Sequence, residues 1–449
     1  MSNRTHTTPG GHDAGLAHRR LRASARPLAV LFSAGALLVL PPSPVALSHA
    51  SAPTATTTTT TADTAQHVGK AWQGAWSTSV QQPGRGLFPN WSQQGFKQQS
   101  VRQVVRVSTG GSSARVKISN RYGTAPLTVT GATVARTDKG AAVHKGSSLP
   151  LTFDKKGSVT VPAGGEVYTD AAPLKVKALE SLTITLYFNE PTGPSTYHMA
   201  ASQTAYRAAG DQRADDAGKA FTETTASWYY LANVEVKGAG PGLRKGVVTF
   251  GDSITDGMGS TIDASNRYPD DLAERFVAED DPRTVLNQGI SGNMVTVGTP
   301  GTGESAVDRF KKDVLGEPGI RTVVIMEGIN DIGLGGMGQI PDVSAEKIIA
   351  GHKELVRQAH AKGLKVIGST LIPFKGAGYY TDRGETKREA FNEWLLNSDV
   401  YDEVIDLDKV VADPADPDRL LPAYDSGDHL HPSDAGYRAM AEALDLDEL

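Results

Sequence analysis

Between Trp72 and Lys237 apolar residues alternate with polar or β-branched ones in short runs, and from Gly246 onward the rhythm changes. The runs 101–107, 114–118, 127–130 and 158–161 follow period two, and Ser181–Phe188 does so most cleanly. Asn120–Gly123, Pro162–Gly165 and Glu190–Gly193 break them with turn-forming residues. Period two puts successive side chains on opposite faces of a strand, so each run reads as a half-buried β-strand. Five or more such strands without a clear helical segment predict an antiparallel, all-β sandwich-like module over residues 69–240.

The glycine-rich stretch Gly238–Gly242 reads as a linker. After it, compact apolar runs at 246–250, 284–287, 321–326, 364–368 and 403–407 alternate with helical patterns at about 269–279, 304–315, 344–362 and 385–397. In the third of these helices Ser344 is a candidate N-cap and Glu346 sits in the first turn. Ile348, Ile349, Leu355, Val356 and Ala359 share one face, and Gly363 stops the run. Strands alternating with helices predict an α/β domain, residues 241–449, built on a parallel sheet covered on both faces. In such sheets ligands sit beyond the carboxyl ends of the strands, so the chemistry is sought in the loops there.

The amino-terminal 50 residues fit neither pattern. Arg19, Arg20, Arg22 and Arg26 precede an apolar run, Leu28–Leu40, and Ser48-His49-Ala50 supplies a small-x-small cleavage site, with Ala50-Ser51-Ala52 as a second candidate. A charged segment, an apolar segment and a cleavage site in that order read as a signal peptide over 1–50. Thirteen apolar residues fall short of the ~20 a bilayer span needs, so a retained anchor is the weaker reading. The Arg19-Arg20 pair leaves twin-arginine export open beside the general route. The Thr/Ala-rich stretch 51–68 offers nothing to bury and reads as a disordered spacer. Residues 1–50 carry five Arg and one Asp, so their removal takes the net charge from −5 to −9. An acidic mature chain lacks the basic excess that binding a nucleic-acid duplex requires. With no cysteine in 449 residues, disulfides, thiolate metal sites and cysteine nucleophiles are excluded.

Four segments hold polar residues that burial alone does not call for: Gly251–Gly257, Asn287–Asn293, Glu327–Asp331 and Asp428–Pro432. Ser253 lies in a strand-to-loop turn among short residues, where a hydroxyl can stand at the sheet edge. A serine nucleophile needs a base to take its proton, and His431 is the candidate. Asp428, three residues earlier, is close enough to orient the imidazole. These four segments resemble, in order and approximate separation, the sequence blocks of the SGNH/GDSL hydrolases. The resemblance covers residues 244–449, and the β-rich half looks like the N-terminal module of a secreted actinobacterial branch of that family. It implies a flavodoxin-like domain and a Ser253–His431–Asp428 triad. It further implies an oxyanion hole made by the backbone N–H groups of Ser253 and Gly292 and the side chain of Asn330.

Each residue also has a bland reading. Gly289 and Gly292 serve as tight-turn glycines, Asp331 as a helix N-cap and Asp256 as a turn-stabilising side chain; for the two aspartates the structural reading is favoured. His429 competes with His431 as base, but Pro432 follows His431 as in the family pattern, leaving His429 at the entrance or in solvent. Trp72, Trp76, Trp91, Trp228, Tyr229 and Tyr230 are read as core in preference to a sugar-stacking surface. No His-Glu-x-x-His pair, calcium-loop spacing or complete dinucleotide fingerprint occurs, so neither cofactor nor metal is expected. The expectation is a secreted, monomeric serine esterase acting on small-molecule or polysaccharide-linked esters, without nucleic-acid partners and without stable membrane insertion once the signal is removed. Its rivals are a glycan-binding protein with a vestigial esterase domain and a surface protein using the Thr-rich stretch as a stalk.

Overall fold

The computed structural model describes residues 72–238 and 245–449. The expected signal peptide, the Thr/Ala-rich spacer and most of the Gly238–Gly242 linker lie outside the described residues. No described helix is long and apolar enough to cross a membrane.

Beside two short strand pairs, Leu127–Val129 with Val159–Val161 and Tyr197–His198 with Trp228–Tyr229, two larger antiparallel sheets make up the β-rich half. One has six strands in the order Glu223–Thr225, Ala205–Ala209, Gln99–Arg106, Ser181–Phe188, Gly131–Arg136 and Leu149–Leu151. The other has four, in the order Trp72–Ser77, Leu231–Lys237, Ala114–Ser119 and Glu166–Tyr168. Val105, Ile184 and Leu186 from the first share a core with Val116, Ile118 and Val234 from the second. The alternation in Ser181–Phe188 does not become alternating exposure, because Thr183 and Thr185 are buried as well. Their hydroxyls meet Thr137 at 2.8 Å and the guanidinium of the buried Arg102 at 3.0 Å, so the outer face is covered through polar contacts. Trp76, Trp91, Trp228, Tyr229 and Tyr230 are all buried, consistent with their reading as core, whereas Trp72 is only partly buried, with the Arg115 guanidinium over its ring.

The carboxyl-terminal half carries five parallel strands: Gly246–Gly251, Val285–Gly289, Ile320–Met326, Lys365–Ser369 and Glu403–Ile405. Counted along the domain they lie in the order 2-1-3-4-5, which is flavodoxin-like. Every residue of Gly246–Gly251 is buried, as a central strand covered on both faces requires. Helices Tyr268–Ala278, Ala306–Asp313, Ala345–His360 and Asp382–Leu396 stand within a few residues of the periodic stretches that predict them. Two further helices, Ile329–Gly336 and Asp434–Glu442, are too short for periodicity to reveal, and the first contains three glycines, which disfavour helix.

An exposed edge strand is a liability, and here the β-rich half covers one. Thr284, just before the edge strand Val285–Gly289, donates its hydroxyl to the Gly74 carbonyl at 2.7 Å. Gln288 in that strand contacts Ser79 at 2.6 Å and Ser77 at 2.8 Å. The approach needs glycine at position 74, since a Cβ there would lie 2.9 Å from the Leu286 side chain. The two halves therefore meet beside the strand that leads into the second polar segment.

Candidate active site

The turn that carries Ser253 follows directly from the central strand. Asp252 caps it, its side chain accepting the Ile254 N–H at 3.0 Å, and the short helix Ser253–Asp256 closes on Gly257 in the left-handed conformation. Close packing fixes this corner: a Cβ on Gly251 would lie 2.2 Å from the Met326 carbonyl oxygen. Ser253 Oγ stands 2.8 Å from His431 Nε2, although 178 residues separate them. His431 Nδ1 is 2.5 Å from Asp428 Oδ2, and the other Asp428 oxygen accepts the His431 and Leu430 N–H groups at 2.8 and 3.0 Å. Burial disfavours charge on Asp428, yet the hydrogen bond and charge of His431 with these backbone donors hold its carboxyl far below the usual range. An ionised Asp428 can only accept, so Nδ1 carries the hydrogen and Nε2 is free to take one from Ser253.

Gly292, Asn330 and Ser291 line the same cavity as Ser253 and His431, a space of about 390 Å³. Gly292 has φ +80°, and its N–H finds no acceptor among the described residues. Asn330 sits in the first turn of Ile329–Gly336, lines the cavity and donates one amide hydrogen to the Asn293 carbonyl at 3.0 Å, leaving the second without an acceptor among the described residues. The rest of the wall is largely apolar, with Leu87, Met199, Met258, Leu334, Tyr379 and Leu430. Leu87 and Met199 come from the β-rich half, and no sequence pattern marks them as site residues. His429 is not in this wall; it is half exposed and its Nδ1 contacts Asp425 at 2.5 Å.

Residues 249–439 match the model of the GDSL-like Lipase/Acylhydrolase family. The carboxyl-terminal half is a GDSL-type hydrolase domain. Among solved structures, it is similar to a GDSL-like lipase of Bacteroides thetaiotaomicron, at 20% identity over 44% of this chain and 85% of that one, with a TM-score of 0.32. An acetyl-xylooligosaccharide esterase of Geobacillus aligns at 22% identity over 44% and 91% with a TM-score of 0.35. An acetyl xylan esterase aligns at 21% over 44% and 96%, also at 0.35. Nothing among curated proteins matches the chain.

Two aspartates of the GDSL domain differ in role from their sequence reading. Asp331 is not an N-cap, since Gly328 occupies that position; it accepts Val295 N–H at 2.8 Å, Thr296 N–H at 3.0 Å and the Thr296 hydroxyl at 2.7 Å. It pins the chain that follows Gly292 to the helix that carries Asn330. Asp256 does not stabilise its own turn but reaches Ser291 and His198, far away in sequence. Behind Ser253 lies a charged cluster that sequence reasoning misses. Arg309 donates to the carbonyls of Gly251 at 2.8 Å and Gln288 at 2.7 Å, lies 3.9 Å from the centre of the Phe250 ring, and stands 3.6 Å from Glu327. Burial pushes the Asp252 and Glu327 carboxyls upward, each raised further by a neighbouring acid and opposed by Arg309. Among the described residues, one group of carboxylates has a spacing suited to a cation, Glu385, Glu389 and Asp418; none of the three lines the cavity, and Glu385 is already held by Arg388.

Proposed function

We propose that this chain is a serine ester hydrolase working through an acyl-enzyme. Its main support is the unbroken line of contacts from Asp428 through His431 to Ser253, opening on a cavity that also holds Gly292 and Asn330. Ser253 Oγ attacks the ester carbonyl carbon while its proton passes to His431 Nε2. The carbonyl oxygen becomes an oxyanion, received by the N–H groups of Ser253 and Gly292 and the free amide hydrogen of Asn330. His431 returns the proton to the departing alkoxide, and the acyl group stays on Ser253. Water then attacks in the same way, giving the carboxylic acid and the restored hydroxyl. No cofactor enters this cycle.

The wall of the cavity bears no Asp, Glu, Lys or Arg side chain, which suits an uncharged acyl chain. The alcohol half of the ester is small or polysaccharide-linked in this reading, and the enzyme is exported as a monomer, the Arg-rich start and apolar run supporting export. The rival, a glycan-binding protein with a spent catalytic half, gains no support from a site that keeps all its Ser, Gly, Asn and His groups.

Hydrolysis of p-nitrophenyl acetate and butyrate by wild type and Ser253→Ala tests the proposal. Turnover in wild type alone is expected, with a fluorophosphonate labelling Ser253; equal background rates in the two proteins defeat it.

A further inference from the structure

His198, in the two-residue strand Tyr197–His198 of the β-rich half, is fully buried between two acceptors. Its Nδ1 lies 2.8 Å from the Ser79 carbonyl oxygen and its Nε2 2.9 Å from Asp256 Oδ1. A carbonyl can only accept, so Nδ1 bears a hydrogen, and Nε2 faces the Asp256 carboxyl group, which can bind a second one there. The ring and the carboxyl group face each other out of water, an arrangement that favours a proton on the ring. Burial opposes that charge, but Asp256 and the hydrogen bonds outweigh it and raise the pKa of His198. Arg267, paired with Asp270 at 2.6 Å and lying over Trp228, also acts on Asp256.

The second Asp256 oxygen accepts the Ser291 N–H at 2.9 Å and the Ser291 hydroxyl at 2.7 Å. Asp256 ends the short helix that Ser253 begins, and Ser291 immediately precedes Gly292. A single carboxylate therefore ties the loop of the Gly292 donor to the turn of the nucleophile. There is no slack to absorb its loss by sliding, because a Cβ on Gly289 would already meet the Asp256 nitrogen at 2.3 Å.

We propose that His198 and Asp256 are a positioning pair through which the β-rich half sets the Gly292 N–H against the carbonyl attacked by Ser253. The inference rests on the ester-hydrolase reading and extends it: the β-rich half becomes part of the catalytic apparatus and not a separable binding module. Neither residue touches substrate. Their effect falls on the charge that develops during reaction, and hence on kcat more than on KM.

The test uses the full chain, steady-state kinetics on p-nitrophenyl acetate, and thermal melts to verify folding. His198→Phe keeps a ring beside Trp228 and deletes both hydrogen bonds; kcat is expected to fall about 10–100-fold with KM within about twofold. His198→Gln can still donate to Asp256 and is expected to recover most of that loss. Ser291→Ala, which keeps the backbone N–H bond, is the milder probe should the Phe variant not fold, with an expected fall in kcat of about 3–10-fold. Wild-type kcat in a folded His198→Phe or Ser291→Ala overturns the inference, as does a folded Gln variant no faster than Phe. A wild type no faster than Ser253→Ala overturns the esterase reading itself and this inference with it.

Discussion

Asn330 offers the sharpest single-residue measurement, because its two amide hydrogens face different tasks. One is committed to the Asn293 carbonyl at 3.0 Å, and the other has no acceptor among the described residues, on a side chain that lines the cavity holding Ser253. Asn330→Ala removes both at once. Loss of an oxyanion donor costs about 2.7–4 kcal/mol at the transition state, or about 10²–10³ in kcat. Loss of the other bond leaves a buried carbonyl without its partner, at about 1–3 kcal/mol of stability, and at about 2–4 °C per kcal/mol the melting temperature falls by several degrees. The two costs register in different experiments. Initial rates on p-nitrophenyl acetate, taken well below the melting transition of the variant, isolate the first, and thermal denaturation isolates the second. KM is expected to change little, since an amide aimed at the oxyanion gains strength only as charge develops. A folded Asn330→Ala with kcat within about twofold of wild type would falsify the assignment of this side chain to the oxyanion hole. A fall in melting temperature without loss of rate would leave Asn330 as no more than a brace for Asn293.

Asp428→Asn keeps the shape of the triad but no longer favours the Nδ1–H tautomer of His431; a loss of roughly 10⁴-fold in kcat at neutral pH is expected in rate assays. Because the folded state depresses the Asp428 pKa below its unfolded value of 3.8, its contribution to stability is present above that value and is lost as pH falls through the depressed one. Melts across pH 2–7 should therefore show the advantage of wild type over Asp428→Asn shrinking toward the acid end, and a constant gap refutes it. Leu87 stands on the cavity wall with 70% of its surface exposed, so Leu87→Ala should lower kcat/KM for octanoate relative to acetate esters by about 3–10-fold without shifting the melting temperature. An unchanged ratio removes Leu87 from the acyl site. Gly251→Ala forces a Cβ against the Met326 carbonyl and should destabilise at the upper end of about 1–3 kcal/mol, read by urea denaturation. Amino-terminal sequencing of protein recovered from the medium should begin at Ser51, and a chain retained in cells with residues 1–50 attached counts against export.

What the sequence makes legible is whatever depends on local pattern. All five parallel strands follow from short runs rich in apolar residues, since a strand buried on both faces is mostly apolar, as Val247, Val248 and Phe250 show in the central one. The four polar segments stand out because their residues fit neither face of an element, and the sheet brings Ser253, Gly292, Asn330 and His431 to one cavity. Contacts across the two halves leave no such trace. His198 occurs in a strand too short to have a period, and a lone histidine carries no mark of the aspartate 58 residues away. Arg309, in a helix with several charges, reads as a solvated residue until the fold closes Gly251, Gln288 and Glu327 around it. Leu87 looks like an ordinary loop residue because its place on the cavity wall is set by what folds against it. The same physics explains why these hidden contacts are polar. Apolar burial is non-directional and tolerates approximate geometry, whereas a catalytic loop must be held to within fractions of an ångström. Directional hydrogen bonds can do this, but only when every buried donor and acceptor is matched. That matching links Ser79, His198, Asp256 and Ser291 into one chain from the β-rich half to the neighbour of Gly292. A GDSL domain separated from its β-rich half would retain its four sequence blocks and lose the His198 partner of Asp256.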